Sequence, residues 1–283
     1  MSVREGEVRA LIDGAFYRMA YVEMGDPAAE PVVCVHGLTR NGRDFDPLMS
    51  ALADRFRMIA PDLPGRGRSE WLPRGDLYQP PVYVLALSHL LAAIGRPVMW
   101  VGTSLGGICG MGIAAAAGQP ITRMVLNDIG PHIPVAALAR IRDYMMAAPL
   151  SFADLPALEA HLRLIHAPFG HLSDARWAAM ARSSARMLPD GRLALNYDPK
   201  IADPIRAQEP KDVDMWGLWE KIRVPVLAVR GAQSDLLLPE TLQKMVASGA
   251  QSLIVPDAGH APVLADAASI AAIGAFLSGG EEG

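Results

Sequence analysis

A chain of 283 residues, about half of them hydrophobic (51%), is long enough to bury most of its apolar surface in one large domain with room for an insertion, and too apolar for a disordered segment. With 26 basic against 30 acidic residues the formal net charge is −4, and no dense Lys/Arg run occurs; a nucleic-acid partner therefore has no electrostatic footprint.

In chain order, the opening MSVREGEVRALIDG has no apolar run of the kind a signal peptide needs, and no stretch of 18 apolar residues follows anywhere. We therefore expect a soluble, cytoplasmic protein without a membrane partner. Residues 8–14 and 16–25 alternate partially and meet at Asp13-Gly14, a hairpin signal. PVVCVHG (31–37) is a continuous apolar run ending in glycine, as suits a strand buried on both faces of a parallel sheet. A helical pattern at 44–54 is followed by a strand within 57–65, a helix over 82–95, a strand at 97–102, a small-residue helix over 104–118 and a strand at 124–130. This alternation predicts right-handed βαβ units and a mostly parallel sheet flanked by helices. It then stops. Residues 131–221 carry helical patterns at 134–147, 154–167 and 174–187 and no convincing strand, which is too long for a connection and predicts a subdomain. The rhythm resumes with strands at 224–231 and 251–259 and helices at 239–248 and 263–277. The expected division is a core of 1–130 with 222–283 and an insertion of 131–221. The two cysteines, Cys34 and Cys109, lie in apolar surroundings and read as buried free thiols, not a disulfide framework.

The sharpest local signal is Gly102-Thr103-Ser104-Leu105-Gly106-Gly107, a G-x-S-x-G between a predicted strand and a predicted helix. A serine at such a tight turn stands exposed at the sheet edge over a helix N-terminus, whose free N–H groups favour an oxyanion. Ser104 is thus the candidate nucleophile. It needs a base, and His260 in PDAGHAP, between the last predicted strand and the last helix, is placed to fold back over that edge. His89 falls inside a helix. His132, His161, His166 and His171 fall in the insertion; the last three are five residues apart, about 140° on a helix, so they share no face and read as surface or cleft-rim residues, not as a metal cluster.

For the acid that orients the imidazole we expect Asp235, in RGAQSDLLLP after the penultimate strand. Asp128, at the end of the preceding strand in VLNDIGP, is the alternative, and Asp257 reads as a turn residue. Acyl transfer also needs two donors for the developing oxyanion: the backbone N–H of Leu105 and, from the loop after the 31–37 run, that of Leu38. His36 in this loop is expected to hold it by hydrogen bonds and not to act as the base.

Together these stretches resemble the α/β-hydrolase fold superfamily, and within it the lid-bearing serine esterase, lactonase and haloperoxidase-like branch. The resemblance is carried by HGLTRNGRDF (36–45), DLPGRGRSE (62–70), GTSLGG (102–107), VLNDIGP (125–131), RGAQSDLLLP (231–240) and PDAGHAP (257–263). It implies an α/β-hydrolase fold with residues 131–221 as an inserted helical cap, and hydrolysis of small, largely apolar carboxylic esters through an acyl-enzyme on Ser104. Oligomeric hydroxyacid esters fall within the expected substrates. Serine rather than aspartate at the elbow disfavours dehalogenase and epoxide-hydrolase chemistry, and HGLT in place of HGGG disfavours an interfacial lipase. A lactonase, a C–C bond hydrolase using the same triad, and a silent binding module on the same fold stay open. Nothing in the sequence calls for a cofactor or metal. The Met-, Leu- and Trp-rich insertion, with Leu150, Phe169 and Met187 among its apolar residues, favours an apolar cleft; Arg140, Arg163 and Arg182 are read as solvated, with carboxylate binding as the alternative.

Overall fold

The structure, a computed structural model, describes residues 2–207 and 209–280. Strands β1 (Arg4–Ile12) and β2 (Ala15–Met24) form the expected hairpin, and Asp13 and Gly14 both adopt positive φ (49° and 79°), the two-residue turn whose twist matches the strands. There follow β3 (Pro31–Val35), helix α1 (Asp46–Leu52), β4 (Arg57–Pro61), α2 (Pro80–Ile94), β5 (Val98–Thr103), α3 (Leu105–Ala114) and β6 (Ile121–Asn127). Helix α2 opens on Pro80-Pro81 and closes on Gly95 in the left-handed conformation, a proline start and glycine stop.

The inserted stretch holds β7 (His132–Ile133), α4 (Val135–Met146), α5 (Leu155–Ile165), α6 (Asp174–Ser184), β8 (Ala185–Met187), β9 (Leu193–Leu195), α7 (Asp203–Arg206), β10 (Val213–Asp214) and α8 (Trp216–Trp219). The chain returns through β11 (Val226–Gly231), α9 (Pro239–Ala247), β12 (Gln251–Val255) and α10 (Ala267–Leu277).

Eight strands make one sheet in the order β1-β2-β4-β3-β5-β6-β11-β12. Strand β2 runs antiparallel to both its neighbours; every pairing from β4 to β12 is parallel. The continuous apolar run of β3 is explained by burial on both faces: Val33 and Val35 join the side packed by α2, α3 and α9, whereas Val32 and Cys34 join the side packed by α1 and α10.

The inserted residues do not share one core. Ala137, Ile141 and Met145 of α4, with Ile201 and Trp219, pack into the larger core cluster, whereas α5, α6, Phe152 and Leu195 build a small cluster of their own around Leu158 and Trp177. Two small ribbons, β7 with β10 and β8 with β9, stand outside the main sheet. The helical pattern of 174–187 ends early, because Ala185 turns extended (φ −95°, ψ 136°) and 185–187 take their hydrogen bonds from β9. Leu150 and Met187 point outward, 86% and 73% exposed, so neither contributes to a cleft. Both cysteines are buried and free, and burial raises both thiols, Cys109 up to about 12. Among the described residues no helix is long and apolar enough to cross a membrane.

Candidate active site

Ser104 occupies the single residue between β5 and α3, at φ 50° and ψ −113°, a backbone conformation that costs a non-glycine residue about 1–3 kcal/mol. The surroundings impose it. The Ser104 N–H donates to the Asn127 carbonyl of β6 (3.0 Å), and the Ser104 carbonyl accepts from the N–H groups of Gly107 (2.9 Å) and Ile108 (3.0 Å). The flanking glycines are required by space: a Cβ on Gly102 would sit 2.5 Å from the Gly106 carbonyl oxygen, and one on Gly106 would sit 2.0 Å from that of Val35. The turn can therefore press against β3 and present the serine at the C-terminal edge of the sheet.

The Ser104 hydroxyl lies 3.1 Å from Nε2 of His260, and His260 Nδ1 lies 2.7 Å from Oδ2 of Asp128. Asp128 is fully buried, and its carboxylate is further held by the Gly231 N–H on Oδ1 (3.0 Å) and the Ser234 hydroxyl on Oδ2 (2.6 Å). A carboxylate at Nδ1 makes that nitrogen the donor and leaves Nε2 as an acceptor facing the serine hydroxyl. Asn127, one residue earlier, ties the arrangement together: its side-chain amide donates to Thr103 Oγ1 (3.0 Å) and to the Pro262 carbonyl (2.8 Å), linking the serine turn to the histidine loop.

Asp235 is not the partner of His260, contrary to the sequence expectation. Its side chain is half exposed (49%) and gives both oxygens to Arg140 of α4, at 2.6 and 2.8 Å. Burial alone would raise its carboxyl, but the Arg140 hydrogen bonds and charge outweigh burial and hold it below the usual range. The physical reason lies in sheet order. Strand β6 sits between β5 and β11, so a residue just past its end falls beside the serine turn, and the left-handed kink at Asp128 (φ 53°) turns the chain there. The loop after β11 reaches the site through Ser234, which supports Asp128, while Asp235 is taken up by Arg140.

The loop after β3 approaches closely: a Cβ built on Gly37 would lie 3.7 Å from that of Ser104. His36 is fully buried, with Nδ1 donating to the Gly37 carbonyl (2.7 Å) and Nε2 accepting from the Leu63 N–H (2.9 Å). Burial, opposed by the Gly37 hydrogen bond and reinforced by the charges of Arg66 and Arg40, pushes its imidazole down to about 3, so it is a neutral brace. Arg66, also fully buried, donates from Nε to the Leu38 carbonyl (2.9 Å), which orients the Leu38 peptide, and lies over the rings of Tyr83 and Tyr78.

Ser104 and His260 line a pocket whose apolar wall includes Leu38, Ile141, Tyr144, Ile165, Phe169 and Val263. Two arginines reach it, both already paired: Arg140 with Asp235, and the buried Arg40 with Asp44 (2.8 and 2.6 Å) and the Ser184 hydroxyl (2.9 Å). Arg163 pairs with Glu159 and Asp174, and Arg182 borders an outer groove. Among the described residues no group of His, Cys, Asp and Glu is arranged to hold a metal ion. Of the insertion histidines expected at the surface or the cleft rim, His166 is not at the surface: it is 5% exposed and lines the pocket, because its residue ends α5 and begins the turn that faces the His260 loop. The Arg40–Asp44 pair was missed; its i, i+4 spacing was visible, its burial was not.

The model of the alpha/beta hydrolase family matches residues 32–273. Over 98% of its length and 99% of the relative's, the chain is 42% identical to a 3-hydroxybutyrate-oligomer hydrolase of Cupriavidus necator. It is 29% identical to a pimeloyl-[acyl-carrier protein] methyl ester esterase of Stenotrophomonas maltophilia, over 85% of this chain and 90% of that one. Among solved structures, an alpha/beta hydrolase from Novosphingobium aromaticivorans superposes with a TM-score of 0.87 at 34% identity, covering 98% of each chain.

Proposed function

The chain belongs to the α/β-hydrolase family, and from that premise we propose that it is a serine hydrolase that cleaves ester bonds in short oligomers of a hydroxyacid, with Ser104 as nucleophile, His260 as general base and Asp128 as the orienting acid. The observation that carries this reading is the continuous hydrogen-bond path from Ser104 through His260 to the buried Asp128 at the wall of an apolar pocket. The relative that matches nearly the whole chain, named for 3-hydroxybutyrate oligomers, supports the substrate class.

In the first half-reaction the Ser104 oxygen attacks the ester carbonyl carbon as its proton passes to His260 Nε2. The imidazolium is stabilised by Asp128, and the negative oxygen is held by the backbone N–H groups of Leu38 and Leu105. Collapse breaks the bond to the leaving alcohol, which takes the proton from His260, and an acyl-serine remains. In the second half-reaction His260 takes a proton from water, the hydroxide attacks the acyl carbon, and Ser104 recovers its proton as the acid departs. Residues 131–221 serve as the cap: Arg140, Ile141 and Tyr144 of α4, and Ile165, His166 and Phe169 at the end of α5, supply one wall of the pocket.

The test is to follow release of monomer by chromatography from the linear dimer and trimer of (R)-3-hydroxybutyrate, with β-butyrolactone and p-nitrophenyl acetate in parallel. Cleavage of the linear oligomers is expected. Activity on p-nitrophenyl acetate with none on the oligomers would overturn the substrate reading while leaving the catalytic one.

A further inference from the structure

His166 is a polar group buried in an otherwise largely apolar wall. Its residue is 5% exposed, and it lines the same pocket as Ser104 and His260. Its place is fixed on every side. The backbone N–H donates to the Leu162 carbonyl (2.9 Å), the carbonyl accepts from the Phe169 N–H (2.9 Å), and the ring stacks on Phe169 with centroids 4.4 Å apart and planes 18° from parallel. The turn it opens is anchored to the catalytic loop, since the Gly259 N–H, next to His260, donates to the Pro168 carbonyl (2.6 Å). Among the described residues the ring makes no side-chain hydrogen bond to the protein, and its nitrogens are not enclosed, so both can pair with a group bound in the pocket that Ser104 and His260 line.

The chemistry of the ring selects the group. Burial foremost, then the charges of Arg40, His161 and His260, hold the His166 imidazole well below its ordinary range, so it is neutral where the enzyme works. A neutral imidazole offers one donor and one acceptor, the complement of a hydroxyl, which is also one donor and an acceptor. It offers no charge to a carboxylate. The carbon chain of a 3-hydroxyacyl group places its hydroxyl three bonds from the carbonyl carbon that Ser104 attacks, and His166 lines the same pocket as Ser104.

Resting on the hydroxyacid-ester reading above, we infer that His166 binds the oxygen at the 3-position of the acyl group and makes the enzyme select 3-hydroxyacyl over plain acyl esters. The Phe169 ring fixes the plane of that contact, and the tether from Pro168 to Gly259 keeps it in register with His260.

The experiment measures kcat/KM for ethyl (R)-3-hydroxybutyrate and for ethyl butyrate by pH-stat titration, in the wild type, His166→Phe and His166→Gln. The wild-type ratio is expected to favour the hydroxy ester by about tenfold or more, because a site built to bond a hydroxyl leaves its own groups unpaired when the hydroxyl is missing. The ratio should fall to near 1 in His166→Phe and recover in part in His166→Gln, which restores a donor and an acceptor. The wild-type ratio needs no variant to fold, and a value of 1 or below overturns the inference. So does an unchanged ratio in both variants, whatever their absolute rates. If the wild type cleaves the 3-hydroxybutyrate dimer but shows no preference between the two ethyl esters, the His166 assignment fails and the substrate reading stands. If it cleaves p-nitrophenyl acetate but neither the dimer nor the hydroxy ester, the substrate reading itself fails.

Discussion

His260 Nδ1 stands 2.7 Å from Asp128, whereas Asp235, past the end of the neighbouring strand, is bound through both oxygens to Arg140. The two aspartates follow Ser104 and precede His260 in the chain, so sequence order cannot separate them; the geometry does, and it divides their mutational effects.

Asp128→Asn is expected to lower kcat on p-nitrophenyl acetate by about 10³–10⁴-fold with little change in KM, because an amide at that position no longer enforces the tautomer that accepts the serine proton. Asp235→Asn should stay within about tenfold of the wild type in kcat/KM, with its effect mainly in KM as Arg140 is released into the pocket. Steady-state kinetics on both variants decide the matter; a larger loss from Asp235→Asn would reverse the assignment.

The elbow makes a prediction about stability. A methyl group on Gly106 would meet the Val35 carbonyl oxygen at 2.0 Å, and since that atom belongs to the backbone of a central strand no side-chain rotation relieves it. Gly106→Ala should cost about 2–4 kcal/mol and lower the melting temperature by roughly 5–15 °C in a thermal-shift measurement. A change within about 1 °C would show that β3 and the turn are less tightly pressed than the structure has them.

The buried His36 predicts acid sensitivity of a definite sign. Its folded-state proton affinity is pushed down to about 3, whereas in the unfolded chain it returns to about 6.5. Between these values the unfolded state binds the extra proton, so stability is whole above about pH 6.5 and falls as the pH drops towards 3. The contribution of this one group approaches about 1.4 kcal/mol per pH unit well inside that window. Urea midpoints measured from pH 7 to pH 4.5 should fall, and the slope should flatten by about one proton in His36→Gln. An equal slope in that variant would mean that His36 is protonated in the folded state.

Much of the fold was legible because its signals are local. Asp13-Gly14 needs only its own two residues to make the hairpin turn, and the apolar run 31–35 betrays burial on both faces wherever its neighbours come from. The serine turn was legible for the same reason: Gly102 and Gly106 flank Ser104 within five residues. What the sequence could not reveal depends on contacts across the fold. The choice of Asp128 over Asp235 rests on which strand lies beside β5 and on Arg140, 95 residues from Asp235, capturing the other carboxylate. The burial of His166 and of the Arg40–Asp44 pair depends on how the inserted helices lie against the core; helical spacing describes a helix and says nothing of what it packs on. The early end of α6 at Ser184 comes from a strand partner in β9, which no pattern within 174–187 records.

The proposed chemistry requires Ser104 to act as a covalent nucleophile, and intact-mass spectrometry after treatment with a fluorophosphonate tests this most directly. The wild type should gain the mass of one phosphonyl group with loss of hydrolytic activity, the label should map by peptide fragmentation to Ser104, and Ser104→Ala should stay unlabelled while melting like the wild type. An adduct on another residue, or full esterase activity in Ser104→Ala, would contradict it.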